Sequence, residues 1–195
     1  MSPNRMSLNP RSMLALLRNP SAALALRGAQ DLPLGLLGAA ASVLGFYIWV
    51  LAAQNRIEHA LSFFSKLFVV SLFSGSLAFK LLLLALLSLI GLTAALSAVG
   101  NRLGARKRSW IEIVTCQGGS QLMFGAGYLV SAAVAFLSVK LSFALTGGLL
   151  ILSLLLLAVQ ALELHEVERG RYFVYIALSV VLYVILFSAF WVLLF

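Results

Sequence analysis

Twenty consecutive residues, LLLLALLSLIGLTAALSAVG at 81–100, carry no charged side chain. At 1.5 Å per residue, about 20 residues of helix cross the roughly 30 Å of a bilayer's hydrocarbon core. The run LLILSLLLLAV at 149–159 has the same character. Membrane barrels show alternating segments of about ten residues rather than continuous apolar runs, so strands do not fit. The chain therefore reads as an all-α polytopic membrane helix bundle. Its composition agrees: 62% of the 195 residues are hydrophobic and 10% are charged, where a water-soluble domain carries about 25% charged residues.

Spans are expected at about 33–53, 80–100, 111–139, 141–162 and 172–195, giving a five-span membrane domain over 33–195. Tyr47 and Trp49 fall toward the far end of the first span, where aromatic rings favour the headgroup boundary. The preceding segment, 1–32, is basic and amphipathic. In it Leu14, Leu16, Leu17, Leu24 and Leu26 interleave with Arg11, Arg18 and Arg27, a pattern suited to the membrane interface or to a basic flank that sets orientation. Asn19 before Pro20 reads as a helix cap with proline at the first helical position, and Gly28 as a stop. No secretory signal is expected, because the first sufficiently long apolar run follows four arginines and lacks a clear cleavage site. Between the first two spans, Asn55, Glu58, His59, Ser62, Ser65 and Lys66 recur at spacings of three and four. Residues 55–79 are accordingly expected to form an amphipathic interfacial helix, with the second span starting at Lys80.

Charge supports this count. With a cytoplasmic N-terminus, five spans place Arg5, Arg11, Arg18, Arg27, Arg102, Arg106, Lys107, Arg108, Arg169 and Arg171 inside, against Arg56, Lys66, Lys80 and Lys140 outside. Every loop then obeys the positive-inside rule, and the C-terminus lies outside. The net charge of +8 points toward anionic lipid headgroups, and no nucleic-acid partner is expected. Arg102, Arg106, Lys107 and Arg108 form the densest basic loop and are the candidate lipid-binding or partner-binding residues.

Chemistry is harder to find. HEVER at 165–169 opens like a zinc-protease motif, but Arg169 stands where the second histidine is needed. GNRLGARKRS lacks the spacing and the strand of a phosphate-binding loop, and GAGYLV at 125–130 lacks the third glycine of a dinucleotide fingerprint. His59 and His165 are expected on opposite sides of the membrane, and the lone Cys116 can form no internal disulfide. Glu112 and Glu163 are placed to pair with Arg106, Arg108 or Arg169. No catalytic residue, metal ligand or cofactor is expected.

The third span is unusual in its polarity. Gln117 and Gln121 are four apart and share one helix face. Gly118, Gly119, Ser120, Gly125 and Gly127 remove bulk nearby, so that a second helix can approach and bond the glutamines, with Gln160 a candidate partner. These three amides read as intramembrane packing or as a polar lining. Small residues recur at Gly38 and Ser42, Ala41 and Gly45, Gly91 and Ala95, and Gly147 and Gly148, which predicts tight bundle packing.

LLRNPSAALAL, RSWIEIVTCQGG and the short charged link between the last two spans together resemble the Yip family of Ypt/Rab-interacting five-span membrane proteins, in its bacterial inner-membrane branch. The resemblance covers the chain from about Leu14 to its end. It departs at the third span, which has Gly118 and Gly119 and no nearby proline where family members often carry Gly-Tyr followed by proline. It implies a non-catalytic membrane protein of the bacterial inner membrane that acts through lipid or through a membrane or cytoplasmic protein partner in membrane organisation. The alternative is a small-solute transporter or channel subunit lined by spans three and four, and association into a homo-oligomer is left open.

Overall fold

The computed structural model describes residues 10–60 and 75–195. Every regular element among them is helical: α1 (Pro10–Arg18), a short 3-10 helix (Pro20–Ala25), α2 (Leu32–Ala60), α3 (Gly75–Leu103), α4 (Trp110–Ala135), α5 (Val139–Leu164), a 3-10 turn (Arg169–Arg171) and α6 (Tyr172–Leu194). Four segments are long and apolar enough to cross a membrane, namely Leu32–His59, Leu77–Leu103, Val139–Leu164 and Arg169–Leu194. The expected third span corresponds to α4, whose 26 residues reach about 39 Å, but α4 is not among these four. Its two glutamines and four glycines keep it outside the group marked by apolarity.

The reason is its position. α4 sits at the centre of the bundle, with Ile113, Thr115, Gln117, Ser120 and Ala135 each no more than 2% exposed. A helix covered by protein on most sides can carry polar groups that lipid would not accept, provided they find partners.

Its closest neighbour is α2. A Cβ at Gly35 would lie 2.6 Å from the Thr115 Cα, one at Gly45 2.5 Å from the Gly125 oxygen, and one at Gly125 2.6 Å from the Ala41 carbonyl carbon. Gly38 and Gly118 likewise face backbone rather than side chains. The two helices thus touch main chain to main chain, a contact only small residues allow. Because Gly35 meets Thr115 while Gly45 meets Gly125, they run parallel.

Other pairings set the remaining directions. Ser142 contacts Ser131 and Ser153 contacts Gln121, so α5 is antiparallel to α4. Tyr175 bonds the Leu96 carbonyl, Tyr183 meets Ser88, and the Phe195 ring lies 5.0 Å from Lys80 Nζ, so α6 is antiparallel to α3. Gly100 and Gly104 near the end of α3 pack against His165 at the end of α5, so those two helices end together. Successive long helices therefore alternate in direction. Residues 28–31, 103–109 and 165–171 gather at one end, and 136–138 and Phe195 at the other.

Local sequence explains the boundaries. Ser109 caps α4, its Oγ accepting from the Glu112 amide while the Glu112 carboxylate accepts from the Ser109 amide, each at 3.3 Å. Ser138 caps α5, so the third helix stops at Ala135 rather than near 139 as expected. Asn19 caps the 3-10 helix through Ser21 at 3.1 Å, and Gly28 takes a φ of +28° where the chain turns toward α2. α2 continues to Ala60, beyond the expected limit at 53, and α3 begins at Gly75 rather than Lys80. The amphipathic helix expected over 55–79 therefore shares its two ends with these helices, and its middle, 61–74, lies outside the described residues.

The N-terminal segment differs from expectation in what covers it. Leu16 is 1% and Ala23 0% exposed, packed with Cys116, Leu122 and Leu164. Gly119 makes room for them, since a Cβ there would fall 2.7 Å from Leu26 Cδ1. Leu16, Leu24 and Leu26 of the apolar stripe thus pack into the bundle, while Leu14 and Leu17 stay exposed.

Replacing Gly125 by Leu should lower stability at or above the ~1–3 kcal/mol typical of overpacking, read as a lower thermal unfolding midpoint. Gly147→Leu, where no atom lies within 4 Å, should leave that midpoint unchanged.

Candidate functional site

Two regions hold the polar and charged groups that a bundle of this kind could use. The first is the basic end. Arg102 in the last turn of α3 and Arg106 and Lys107 on the turn between α3 and α4 are exposed, and Arg11, Arg18, Arg27, Arg169 and Arg171 are exposed on the segments around them. Among the described residues, only Arg56, Lys80 and Lys140 belong to the opposite half of the bundle.

Arg108 behaves differently from its three neighbours. Its Nε donates to the Leu164 carbonyl at 2.9 Å, its guanidinium lies 3.8 Å from Glu112, and its amide donates to Asn101 Oδ1 at 2.9 Å. It ties the loop to the end of α5. Arg106 forms an ion pair with Glu166 at 3.3 Å in which both side chains are more than half exposed, a geometry worth little in stability. Of the four loop residues expected to bind, Arg102 and Lys107 are exposed, Arg106 is exposed in its pair with Glu166, and Arg108 builds the loop.

His165 completes this clamp. It is 1% exposed, its ring lying on Gly100 and its Nδ1 3.2 Å from the Arg106 carbonyl. The Arg106 amide donates back to the His165 carbonyl at 3.1 Å. A side chain at Gly100 would occupy the imidazole's place and one at Gly104 would meet the carbonyl oxygens of His165 and Gly100, which accounts for two glycines in the GNRLG stretch. His59 lies at the far end of α2, so the two histidines do not meet.

The second region is the polar junction inside the bundle. Gln121 Oε1 accepts from Ser42 Oγ at 3.2 Å and from Ser153 Oγ at 3.0 Å, joining α2, α4 and α5. Gln160 does not reach the other glutamines. Its Nε2 donates to the Pro20 carbonyl at 3.1 Å, anchoring the N-terminal segment. Gln117 is 2% exposed, one turn closer to the basic end. A further relay, in which Trp49 Nε1 donates to Ser142 Oγ at 2.8 Å and Ser142 Oγ donates to the Ser131 carbonyl at 2.7 Å, ties the same three helices toward the opposite end. Ser142 and Ser153 carry no distinctive signal in sequence, since single serines in an apolar helix most often bond their own backbone.

Beside the Gln121 junction lies a cavity of about 300 Å³ lined by residues of all five long helices, among them Ser42, Phe46, Ala85, Tyr128, Leu157 and Phe187. It separates the α2–α4–α5 group from the α3–α6 pair. The two groups close on each other around Leu96, Leu157 and Tyr175 at one end and around Trp49, Ala53 and Ala78 at the other.

Among the described residues, no three His, Cys, Asp or Glu side chains come together as a metal site would require. Comparison with protein-family models, with curated proteins and with solved structures gives no match.

Burial holds the His165 imidazole below its ordinary value of 6.5, with the nearby Arg108 charge adding to the effect and the Arg106 carbonyl opposing it. The unfolded chain then binds the proton more readily than the folded one. The clamp's contribution is complete above pH 6.5 and falls as pH drops below it. Hydrogen exchange at the Arg106 amide should accelerate on acidification from pH 7.5 to 5.5, after correction for intrinsic rates, and His165→Gln should remove most of that dependence.

Proposed function

We propose that this chain is a five-span integral membrane protein that works without catalysis, its basic end engaging anionic lipid headgroups or a cytoplasmic protein. The observation that carries the reading is the segregation of exposed Arg and Lys to the end formed by the α3–α4 turn, the α5–α6 link and the N-terminal segment. Basic residues beside an anionic leaflet contribute about 1 kcal/mol each, and the same excess sets orientation during insertion. The N-terminus is accordingly cytoplasmic, the C-terminus outside, and the membrane the inner membrane of a bacterium.

The alternation of α2 through α6 supports five crossings. α4 crosses within the bundle, shielded by its neighbours. The Yip-like layout, five spans with a short proline-bearing N-terminal segment, fits this organisation and a role in arranging membrane or recruiting protein. Passage of a small solute along Gln117, Gln121 and Gln160 finds less support, because Gln160 bonds the Pro20 carbonyl and, of the three, Gln121 alone lines the cavity.

Changing Arg102, Arg106 and Lys107 together to Gln should weaken retention of phosphatidylglycerol by the purified protein at least about tenfold, with the thermal midpoint preserved because Arg108 still holds the loop. Unchanged retention together with unchanged recovery of co-purifying protein would remove this role from the basic end.

A further inference from the structure

Glu166 is the one non-glycine residue among the described residues with a positive φ, +50°. It follows α5 in the position that glycine usually takes, because a Cβ crowds the left-handed backbone. The turn closes without its side chain. The Val167 amide donates to the Leu162 carbonyl at 3.1 Å and the Glu166 amide to the Glu163 carbonyl at 3.2 Å, while Val167 and Leu162 are buried in one cluster. The Glu166 carboxylate reaches Arg106 at 3.3 Å, in a pair more than half exposed on both sides and worth little to the fold. An acid held in a costly backbone conformation against one exposed partner points to a task at that partner.

Arg106 is placed to exchange that partner. Its main chain is fixed by His165, since its carbonyl accepts from Nδ1 at 3.2 Å and its amide donates to the His165 carbonyl at 3.1 Å. The guanidinium is the part left to move. Glu166 engages one of its nitrogens, whereas a phosphate can take two from the planar fork. Trp110, 49% exposed, and Tyr172, 38% exposed, begin α4 and α6 at this end, and aromatic rings favour the headgroup boundary where lipid phosphates lie. Arg102, in the last turn of α3, and Lys107 are exposed on either side of Arg106 in the chain. The other acids of the α5–α6 link are Glu163, which is exposed, and Glu168, which pairs with Arg171 at 3.6 Å.

We infer that Glu166 occupies on Arg106 the place of a lipid phosphate, as an internal competitor that an anionic leaflet displaces. Arg106 then holds the headgroup through two nitrogens, and Glu166 sets how much anionic lipid is needed before the basic end engages. This rests on the reading that the basic end meets anionic lipid.

The test measures phosphatidylglycerol retention by the full purified chain, with the thermal midpoint recorded in parallel. Glu166→Gln should raise the affinity about fivefold, the effect of one further basic residue at an anionic leaflet. Adding Arg106→Gln should cancel that gain. Glu163→Gln, which removes the same charge without touching the pair, should raise affinity less and independently of Arg106. Glu166→Gly should match the gain of Glu166→Gln with a higher midpoint, since glycine relieves the left-handed backbone. Equal gains from Glu166→Gln and Glu163→Gln, no dependence on Arg106, or a Glu166→Gly midpoint below the parent's would overturn the assignment. So would the same dependence with inorganic phosphate in place of the lipid, which would make the ligand a free anion. Unchanged retention after Arg102, Arg106 and Lys107 are changed together is a separate result, and it removes the reading of the basic end along with this inference.

Discussion

Backbone lies directly on backbone where α2 crosses α4, and the rest of the bundle is arranged around that contact. Gly35, Gly38 and Gly45 on one helix and Gly118 and Gly125 on the other leave no side chain between the two main chains. Within lipid, helices gain little from hydrophobic burial against each other, so close van der Waals contact is what holds them. The contact makes α2 and α4 parallel, which requires α3 to return across the bundle between them. It also draws α4 away from the exterior, so its amides and hydroxyls must be satisfied from within. Gln121 Oε1 is satisfied through α2 and α5, and the Thr115 hydroxyl through the Gly28 carbonyl at 2.8 Å.

The second group, α3 with α6, is held less intimately. Its polar links run between its own two members, Tyr175 to the Leu96 carbonyl and Tyr183 to Ser88, and it meets the first group mainly near the two ends. A gap at mid-height follows from that division. The basic end carries the tighter closure, because Arg108 and His165 tie the α3–α4 turn to the last turn of α5, and the N-terminal segment fills the face opened by Gly119. The exposed charges of Arg102, Arg106 and Lys107 are thereby displayed on a braced loop rather than on a loose one.

Much of this was legible in the residues. Charge-free runs gave the long helices, and the small residues of α2 and α4 indicated a close contact. Gly147 and Gly148 had the same appearance and meet nothing, since a small-residue face states that a helix can approach and not that one does. The N-terminal segment reads equally as an interfacial helix or as a basic flank, because Leu16 and Leu26 look alike whether lipid or protein covers them. Arg108 could not be told from Arg106 and Lys107, since its role depends on the Leu164 carbonyl, 56 residues away. Gln160 was paired with the other glutamines by chemistry alone, whereas its partner is a backbone carbonyl that carries no sequence signal. Helix ends moved for a related reason: α2 runs through Asn55 and Glu58, where Gln54 and Glu58 bond each other one turn apart at 3.0 Å, and polarity alone did not end the helix.

The parallel seam between α2 and α4 makes one global statement that can be measured without disturbing it. Reporter fusions within the 101–109 loop and after Phe195, read for the side of the membrane each occupies, count the crossings between them. Five alternating spans predict the loop inside and the C-terminus outside. Both reporters on the same side would contradict the account, because α4, α5 and α6 could not then all cross.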